Sequence, residues 1–177
     1  MRICVFCGSS AGGRPEYAEA ARAVGRIAAA RGLGIVYGGS RLGLMGAMAD
    51  AALSAGGEVI GVIPRALVDR EIAHTGLTEL RVVAGMHERK ATMAALSDAF
   101  VALPGGAGTL DELFEIWTWA QLGLHDKPIA ILDVAGFYTH LLRHLDGAVS
   151  DGFLRQESRT TLRVARDPVT LLQELEV

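Results

Sequence analysis

A glycine-rich stretch, residues 103–112, contains the residue types that bind phosphate. Gly105, Gly106 and Gly108 follow an apolar run, residues 99–103, that is short enough for a buried strand. After the glycines, apolar residues repeat at helical spacing at Leu110, Leu113, Phe114 and Trp117. Glycine lets the backbone approach a ligand closely, and the first turn of a helix offers unpaired N–H groups with a partial positive charge. The stretch therefore predicts a strand end, a phosphate-binding loop and a helix start.

Glu112 has two possible roles in this stretch. Thr109 and Glu112 match the spacing of a capping box, in which the glutamate bonds back to the first N–H group of its helix. Alternatively, phosphate occupies those N–H groups and the Glu112 carboxylate reaches the adjoining sugar. There it could stabilise positive charge at an anomeric carbon or activate water, as carboxylates do in glycoside hydrolysis. Asp111 points about 100° away around the helix.

Arg89 and Lys90 are the candidate cations. Arg89 begins an apolar stripe, because Met93 and Leu96 follow it at i+4 and i+7. An arginine on such a face needs an anionic partner, either a ligand or an internal carboxylate. Lys90 points about 100° away, so the two could hold one ligand only from the first turn of their helix. Lys127 is the other lysine of the chain, which leaves few amines for Schiff-base chemistry.

Alternating strand and helix patterns position these residues. Strands are predicted at residues 3–7, 35–37, 58–63, 80–83, 99–103 and 129–132. The predicted helices run from Pro15 to about residue 31, from the end of the loop at residues 38–46 to about Ser54, from Met86 to about Ser97, onward from the stretch at 103–112, over 137–149 and over 168–175. A surface loop is predicted at residues 65–78. This order predicts an α/β fold: a doubly wound, mostly parallel, Rossmann-like sheet with helices on both faces. A chain of 177 residues is expected to form a single domain, residues 1–177.

Three glycine-rich loops, residues 8–13, 38–46 and 104–109, should meet at one edge of that sheet. Ser9 and Gly39 of the first two loops are therefore expected to contact the ligand. A dinucleotide site needs G-x-G-x-x-G after the first strand and an acidic residue after the second, and the sequence has neither. No lysine follows a glycine run at P-loop spacing either. The loops favour a mononucleotide or a sugar phosphate.

Charge and composition exclude several other classes. The formal net charge is −3 and lysines and arginines form no run, so we expect neither a nucleic-acid nor a membrane partner. No stretch is apolar enough to span a bilayer and no secretory signal is visible, which predicts the cytoplasm. Cys4 and Cys7 are three apart on a strand and favour ordinary buried cysteines over a redox or metal site. His140 and His144 have helical spacing without the carboxylate of a zinc motif, so no metal is expected.

The helix that follows Glu112 is apolar nearly all round. Ile116 and Trp119 lie on one side of it, and Leu113, Phe114 and Trp117 on the other. Such a helix is expected to be buried on both sides, against the sheet and against a second subunit. The pattern therefore predicts a homodimer.

Three motifs together resemble one known family. Residues 37–46 (YGGSRLGLMG), 86–90 (MHERK) and 104–112 (PGGAGTLDE) are similar to those of the LONELY GUY (LOG) family of cytokinin riboside 5'-monophosphate phosphoribohydrolases, often mislabelled lysine decarboxylases. The resemblance covers nearly the whole chain. It implies hydrolysis of the N-glycosidic bond of AMP or an N6-modified AMP, with no metal or other cofactor, in a dimer or larger assembly.

The resemblance also assigns roles to residues. Arg89 and Glu112 look like the catalytic pair. The implied substrate contacts are Glu71, Lys90, Gly105, Gly106, Ala107, Gly108, Thr109, Leu110, Asp111 and Thr118. Ser40 stands where the family usually has glycine, and Ala107 stands where many members have tyrosine, which bears on substrate preference. A non-catalytic protein that binds nucleotide or sugar phosphate on the same fold remains the alternative.

Overall fold

The computed structural model describes residues 1–68, 70 and 72–175. Within these residues seven parallel strands form one sheet in the order β4-β3-β2-β1-β5-β6-β7. The strands are β1 (Arg2–Phe6), β2 (Gly34–Tyr37), β3 (Val59–Pro64), β4 (Glu79–Val83), β5 (Ala99–Ala102), β6 (Ile129–Leu132) and β7 (Leu162–Ala165). The chain winds outward from β1 to β4 and then to the other side of β1, from β5 to β7. This order confirms the predicted doubly wound sheet.

Helices cover both faces of the sheet. They are α1 (Pro15–Ala30), α2 (Gly43–Ser54), α3 (Arg65–Val68), α4 (Met86–Leu96), α5 (Ala107–Gln121), α6 (Thr139–Ser150), α7 (Gln156–Thr161) and α8 (Pro168–Leu175). Helices α1, α2 and α8 pack with one apolar cluster, and α4, α5 and α6 pack with the other. Because side chains alternate along β1, Ile3 and Val5 join the first cluster, whereas Cys4 and Phe6 join the second. Among the described residues, no helix has both the length and the apolarity needed to cross a membrane.

The last third of the chain contains elements that the sequence patterns missed. Strand β7 has four residues, and its exposed Arg163 interrupts the apolar run that marks the inner strands. Helix α7 has no buried residue and so has no apolar stripe. Helix α6 begins at Thr139 rather than at 137, because a 3₁₀ turn precedes it and Ala135 within that turn has a positive φ angle of 52°.

Described residues of the predicted loop at 65–78 contact the carboxyl edge of the sheet. It begins with α3, and Ala73 then forms an isolated antiparallel bridge with Ser40. The N–H of His74 donates to the carbonyl of Gly39 at 2.9 Å, and the His74 ring lies 2.9 Å from Asp50. These contacts hold the segment next to the loop that follows β2.

Candidate active site

The loops after β1, β2 and β5 meet where the winding of the sheet changes direction. The N–H of Gly8 donates to the carbonyl of Pro104 at 3.0 Å, and the N–H of Leu44 donates to the carbonyl of Gly8 at 3.0 Å. Gly43 has a φ angle of 58°, and a Cβ at this residue would overlap the backbone of Ser9. The predicted convergence of the three loops is therefore confirmed, at the edge where doubly wound sheets bind ligands.

These loops surround a cavity of about 450 Å³, a volume typical of small-molecule sites. One part of its lining comes from the loop after β1 and from the first turn of α5, with Ser9, Gly106, Ala107, Gly108, Thr109 and Asp111. Another part is an apolar wall of Val5, Leu42, Met45, Ile63, Leu67, Ile72 and Met86. Arg89 and Glu112 also line the cavity. The site thus combines anion-binding backbone, two opposite charges and an apolar surface.

Helix α5 begins at the wall of this cavity. The helix begins at Ala107, after Gly106, and the N–H of Leu110 donates to the Gly106 carbonyl at 3.2 Å. The N–H groups of Ala107, Gly108 and Thr109 precede that bond, so they have no partner within the helix. All three residues line the cavity. Unpaired N–H groups at the positive end of the helix dipole form an anion site.

The capping box suggested by the spacing of Thr109 and Glu112 is wrong. Thr109 is the third residue of α5, not the residue before it, and no described side chain caps this end of the helix. Glu112 is therefore more than one turn from the N–H groups that a capping glutamate would reach. Residues three apart share a helix face, and here both side chains are buried at the cavity.

Glu112 is a buried carboxyl group. Its residue is 8% exposed, and burial raises its pKa above the ordinary glutamate value, although the positive charge of Arg89 opposes this shift. Oε1 of Glu112 lies 3.7 Å from Nη1 of Arg89, which is an ion pair longer than a hydrogen bond. A buried carboxyl with a raised pKa in a cleft is the arrangement used for acid-base work or charge stabilisation.

Arg89 is held rigidly by backbone carbonyls. Nε donates to the carbonyl of Val62 at 3.1 Å and Nη2 donates to the carbonyl of Gly38 at 3.2 Å. A Cβ at Gly38 would overlap Nη2, so this approach requires glycine. Nη1 remains for the 3.7 Å contact with Glu112 and a 3.8 Å contact with Sδ of Met86. The anionic partner expected for Arg89 is thus a carboxylate that itself lines the cavity.

Lys90 lies beside the cavity rather than in its lining. Its Nζ is 3.1 Å from Oδ2 of Asp111 and 3.0 Å from Oε2 of Glu115. Burial acts to lower the pKa of Lys90, but the hydrogen bonds to Glu115 and Asp111 outweigh it, so the pKa is raised. Asp111 lines the cavity, so Lys90 reaches the site through that carboxylate. Direct contact between Lys90 and a ligand stays a prediction.

Four other predicted contact residues lie outside the lining. Gly39 is behind it, where its carbonyl accepts the His74 N–H. Gly105 supports the loop against Thr109, and Leu110 packs with the apolar cluster beneath α5. Thr118 is exposed, about 10 Å along α5 from Asp111. A fifth predicted residue, Glu71, lies outside the described residues.

The apolar wall is the part of the site that sequence reasoning missed. Ile63 is fully buried near the end of β3, and Met86 opens α4 one turn before Arg89. Leu67 and Ile72 come from the segment expected to be a plain surface loop. In the sequence these residues resemble ordinary core positions. Only their position in the sequence could have indicated that they line the site, since they lie close to strand ends and helix starts at the ligand-binding edge.

The remaining candidate chemical groups do not form a second reactive centre in the described residues. Cys4 and Cys7 are buried without a disulfide, and desolvation raises the pKa of both thiols, which disfavours thiolate chemistry. His140 and His144 lie exposed on α6. No three His, Cys, Asp or Glu side chains of the described chain come together as metal ligands.

Solved structures share the fold at low sequence identity. The molybdenum cofactor binding protein of the phototrophic bacterium Rippkaea orientalis aligns with a TM-score of 0.74 and 22% identity, over 99% of this chain and 97% of that one. The molybdenum cofactor carrier protein of Chlamydomonas reinhardtii aligns with a TM-score of 0.71 and 23% identity, over 98% and 96%. At these identities the likeness concerns the fold alone.

Sequence comparison identifies the family. A family described as "Possible lysine decarboxylase" matches residues 45–175. The cytokinin riboside 5'-monophosphate phosphoribohydrolase LOG5 of Arabidopsis thaliana is 50% identical over 99% of this chain and 77% of its own length. The enzyme of the same name, LOG, from Oryza sativa subsp. japonica is 49% identical over 98% and 73%. This chain therefore belongs to the family that includes the LOG phosphoribohydrolases.

Proposed function

We propose that this protein hydrolyses the N-glycosidic bond of AMP or of an N6-modified AMP, such as a cytokinin riboside 5'-monophosphate, and releases the free base and ribose 5-phosphate. The observation that carries the proposal is that the buried Glu112 carboxyl and the unpaired N–H groups of α5 line one cavity. The names of relatives about 50% identical to this chain support the same reaction.

The phosphate group binds at the start of α5 in this proposal. The N–H groups of Ala107, Gly108 and Thr109 donate to it, and the helix dipole favours its negative charge. Glu112 follows Ala107 by five residues, about 7.5 Å along the helix axis. That separation suits a ribose that connects a phosphate at the helix start to a reacting carbon beside Glu112. Ser9 lines the same cavity from the loop after β1 and is a further candidate contact.

Glu112 is the group proposed to act on the sugar. The bond from the anomeric carbon to the base nitrogen breaks, and its electron pair leaves with the base, so positive charge develops on the ribose. An ionised Glu112 stabilises that charge and accepts a proton from the water whose oxygen bonds to the anomeric carbon. The proton is then available to the departing base.

Arg89 is proposed to stabilise charge without transferring a proton. A guanidinium does not lose its proton in proteins, so it cannot act as the general acid. Its contacts with the carbonyls of Val62 and Gly38 fix its orientation. Nη1 can then keep Glu112 ionised and donate a hydrogen bond to the substrate. Rigid donors of this kind need no rearrangement as the charge develops.

The apolar wall is proposed to receive the base and its N6 substituent. Met86, Leu67 and Ile72 provide apolar contact area in the cavity, and Sδ of Met86 lies 3.8 Å from Nη1 of Arg89. A purine with an apolar substituent gains free energy when it leaves water for such a surface. Which substituent fits best depends on the whole wall.

Lysine decarboxylation, suggested by the family description, has little support in this site. A pyridoxal phosphate enzyme needs a lysine amine of lowered pKa facing the substrate. Nζ of Lys90 is paired with two carboxylates and has a raised pKa. Nζ of Lys127 donates to the Ala94 carbonyl at 2.9 Å, and Lys127 is not in the cavity lining. Absence of visible cofactor absorbance after soaking with pyridoxal phosphate would dismiss this chemistry.

We also propose that the protein is a homodimer. Leu122 and Leu124, after α5, and Phe153, after α6, are 69%, 68% and 89% exposed. Trp119 on α5 is only half-buried. Large exposed apolar side chains beside a half-buried helix face support contact with a second copy. The cytoplasmic location and the absence of nucleic-acid or membrane partners stay predictions from the sequence.

The test of the proposed reaction is a product assay. The protein is incubated with AMP, with N6-isopentenyl-AMP and with the corresponding nucleosides, and base and ribose 5-phosphate are measured by chromatography. The proposal predicts both products from at least one monophosphate and much slower release from the nucleosides, which lack the phosphate. A non-catalytic binding protein predicts instead that calorimetry detects AMP binding without any product.

A further inference from the structure

Tyr138 is a buried phenol that the proposed chemistry does not use directly. It lies immediately before α6 and is 2% exposed. Its hydroxyl donates a hydrogen bond of 2.6 Å to the carbonyl of Leu103. Leu103 is the residue between β5 and the turn formed by Pro104 and Gly105, so this bond acts on the start of the loop that leads into α5.

The turn after Leu103 is held from several sides. The N–H of Leu103 donates to the carbonyl of Phe6 at 2.9 Å, and the carbonyl of Pro104 accepts the Gly8 N–H at 3.0 Å. The two consecutive carbonyls of the turn are thus each fixed by a donor from a different element. Pro104 has no N–H, so the turn depends on its carbonyls for anchoring. A rotation of the Leu103 carbonyl would change the direction of the N–H groups that follow it.

Tyr138 is connected through Asp133 to the edge strand β7. Its backbone N–H donates to Oδ1 of the buried Asp133 at 2.7 Å, and the N–H of Asp133 donates to the Ala165 carbonyl of β7 at 2.8 Å. The ring packs edge-on against Phe137, with centroids 4.9 Å apart. The phenol therefore has a fixed position from which to hold the Leu103 carbonyl.

We propose that Tyr138 is a positioning residue for the phosphate site: by holding the Leu103 carbonyl, it aims the first N–H groups of α5 at the substrate phosphate. This rests on the proposed function, in which phosphate binds there. A dipole array works only when it is oriented before the ligand arrives, and a misplacement of about 1 Å can cost about a hundredfold in rate. Loss of the Tyr138 hydroxyl should therefore weaken binding of the phosphate group and leave binding of the base unchanged.

The experiment compares Tyr138→Phe with Tyr17→Phe. The second change removes another phenol next to Phe137, whose ring is 5.6 Å from that of Tyr17, and no hydrogen bond of the Tyr17 hydroxyl is found among the described residues. Calorimetry measures the Kd of ribose 5-phosphate and of adenine, and the product assay measures KM for AMP. For Tyr138→Phe we expect Kd for ribose 5-phosphate and KM for AMP to rise about tenfold, with adenine affinity changed less than about twofold. Tyr17→Phe should resemble the wild type.

Circular dichroism checks that the variants fold. If Tyr138→Phe does not fold, Asp133→Asn replaces it, because a neutral amide accepts the Tyr138 N–H more weakly, and the same selective loss is expected at smaller size. Unchanged affinity for ribose 5-phosphate in the folded variant, or an equal loss for adenine, overturns the proposal. Failure of the wild type to bind ribose 5-phosphate overturns it as well. If the wild type binds ribose 5-phosphate with this dependence but releases no base from any monophosphate, the hydrolase proposal fails and the positioning role stands.

Discussion

Nη1 of Arg89 lies 3.7 Å from Oε1 of Glu112, and the two side chains, from α4 and α5, are about 10% and 11% exposed. The guanidinium is fixed by two backbone carbonyls, and its positive charge acts to lower the pKa of Glu112. Burial nevertheless dominates, and the pKa of Glu112 is raised. The ion pair is therefore not optimised for stability, which is expected where charges serve a reaction.

Glu112→Gln should abolish most activity without loss of stability. The substitution keeps the shape but removes the charge that stabilises the ribose, and carboxylates in such roles contribute about 10²–10⁴ in rate. Because ionised Glu112 is penalised by burial, the free energy of unfolding at pH 7 should be unchanged or higher. The product assay and urea unfolding measure the two effects. The matched control is Glu115→Gln, one turn further along α5 and paired with Lys90. Equal activity in both variants would exclude a catalytic role for Glu112.

The pH dependence of activity should show the raised pKa of Glu112. The reaction needs the ionised carboxylate, so the acidic limb of the kcat/KM profile should have its midpoint above the ordinary glutamate value of about 4.3. Initial rates from pH 4 to 8 measure it. A midpoint at or below the ordinary value would contradict the assignment of the limb to Glu112.

The pH dependence of the free energy of unfolding should show the raised pKa of Glu112 independently of activity. A raised pKa in the folded state means that the folded protein is penalised at pH values above it, where Glu112 is ionised in both states. The gain in unfolding free energy from Glu112→Gln should thus be fully present at pH values above the folded pKa. It should shrink as the pH falls through that pKa and vanish below the unfolded pKa of about 4.3. Urea titrations of both proteins at several pH values measure this difference in unfolding free energy. A difference that grows as the pH falls would mean that the pKa of Glu112 is lowered in the folded protein, and would contradict the prediction.

Removing the charge of Arg89 should shift the acidic limb. Arg89→Met leaves Glu112 without its cation, so the pKa of Glu112 rises further and the midpoint of the limb moves to higher pH. Arg89→Lys keeps a positive charge beside Glu112 but loses the guanidinium contacts with the carbonyls of Val62 and Gly38. It should retain the wild-type midpoint with kcat lower by about 10–100-fold. The same midpoint in Arg89→Met as in the wild type would mean that the two groups are not coupled.

A carboxylate introduced at the start of α5 should weaken the binding of AMP and stabilise the folded protein. Ala107→Asp places a negative charge at the first residue of the helix, and the interaction of this charge with the helix dipole should stabilise the protein by about 0.3–1 kcal/mol. The same charge repels the substrate phosphate, and KM for AMP should rise at least about tenfold, as a like charge at about 4 Å costs about 1–4 kcal/mol. Ala107→Asn is the uncharged control. Unaltered KM in Ala107→Asp would argue against phosphate binding at this helix end.

The exposed apolar residues after α5 should mediate self-association. Leu122→Arg places a charge on the proposed contact surface and should convert a dimer to a monomer in sedimentation velocity. Arg22→Ala, on the exposed face of α1, is the control for a surface change elsewhere. A wild-type protein that sediments as a monomer at micromolar concentration would contradict the dimer.

The sequence predicted the inner strands well because they are buried on both faces. Ile129–Leu132 was predicted with the bounds that the structure has, as was the helix Pro168–Leu175. Strand β7 escaped because an edge strand of four residues with an exposed arginine has no continuous apolar run. The strained Ala135 shifted the start of α6 in a way that no periodicity reveals.

The polar half of the candidate site was predictable, whereas the apolar half was not. Glycines before a helix indicate an anion site whatever the tertiary structure, and Arg89 on an apolar stripe indicated an anionic partner. The spacing of Thr109 and Glu112 was misleading, because the helix begins two residues before Thr109. Ile63 and Ile72 become cavity wall only through strand order and the bridge between Ser40 and Ala73, which are long-range features.

The most direct measurement is hydrolysis of AMP or N6-isopentenyl-AMP in H₂¹⁸O, with the wild type and with Glu112→Gln. We expect the wild type to form free base and ribose 5-phosphate that carries one ¹⁸O at the anomeric carbon, and Glu112→Gln to form almost none of either product. Nucleoside with ¹⁸O-labelled inorganic phosphate, or no product from either monophosphate, would contradict it.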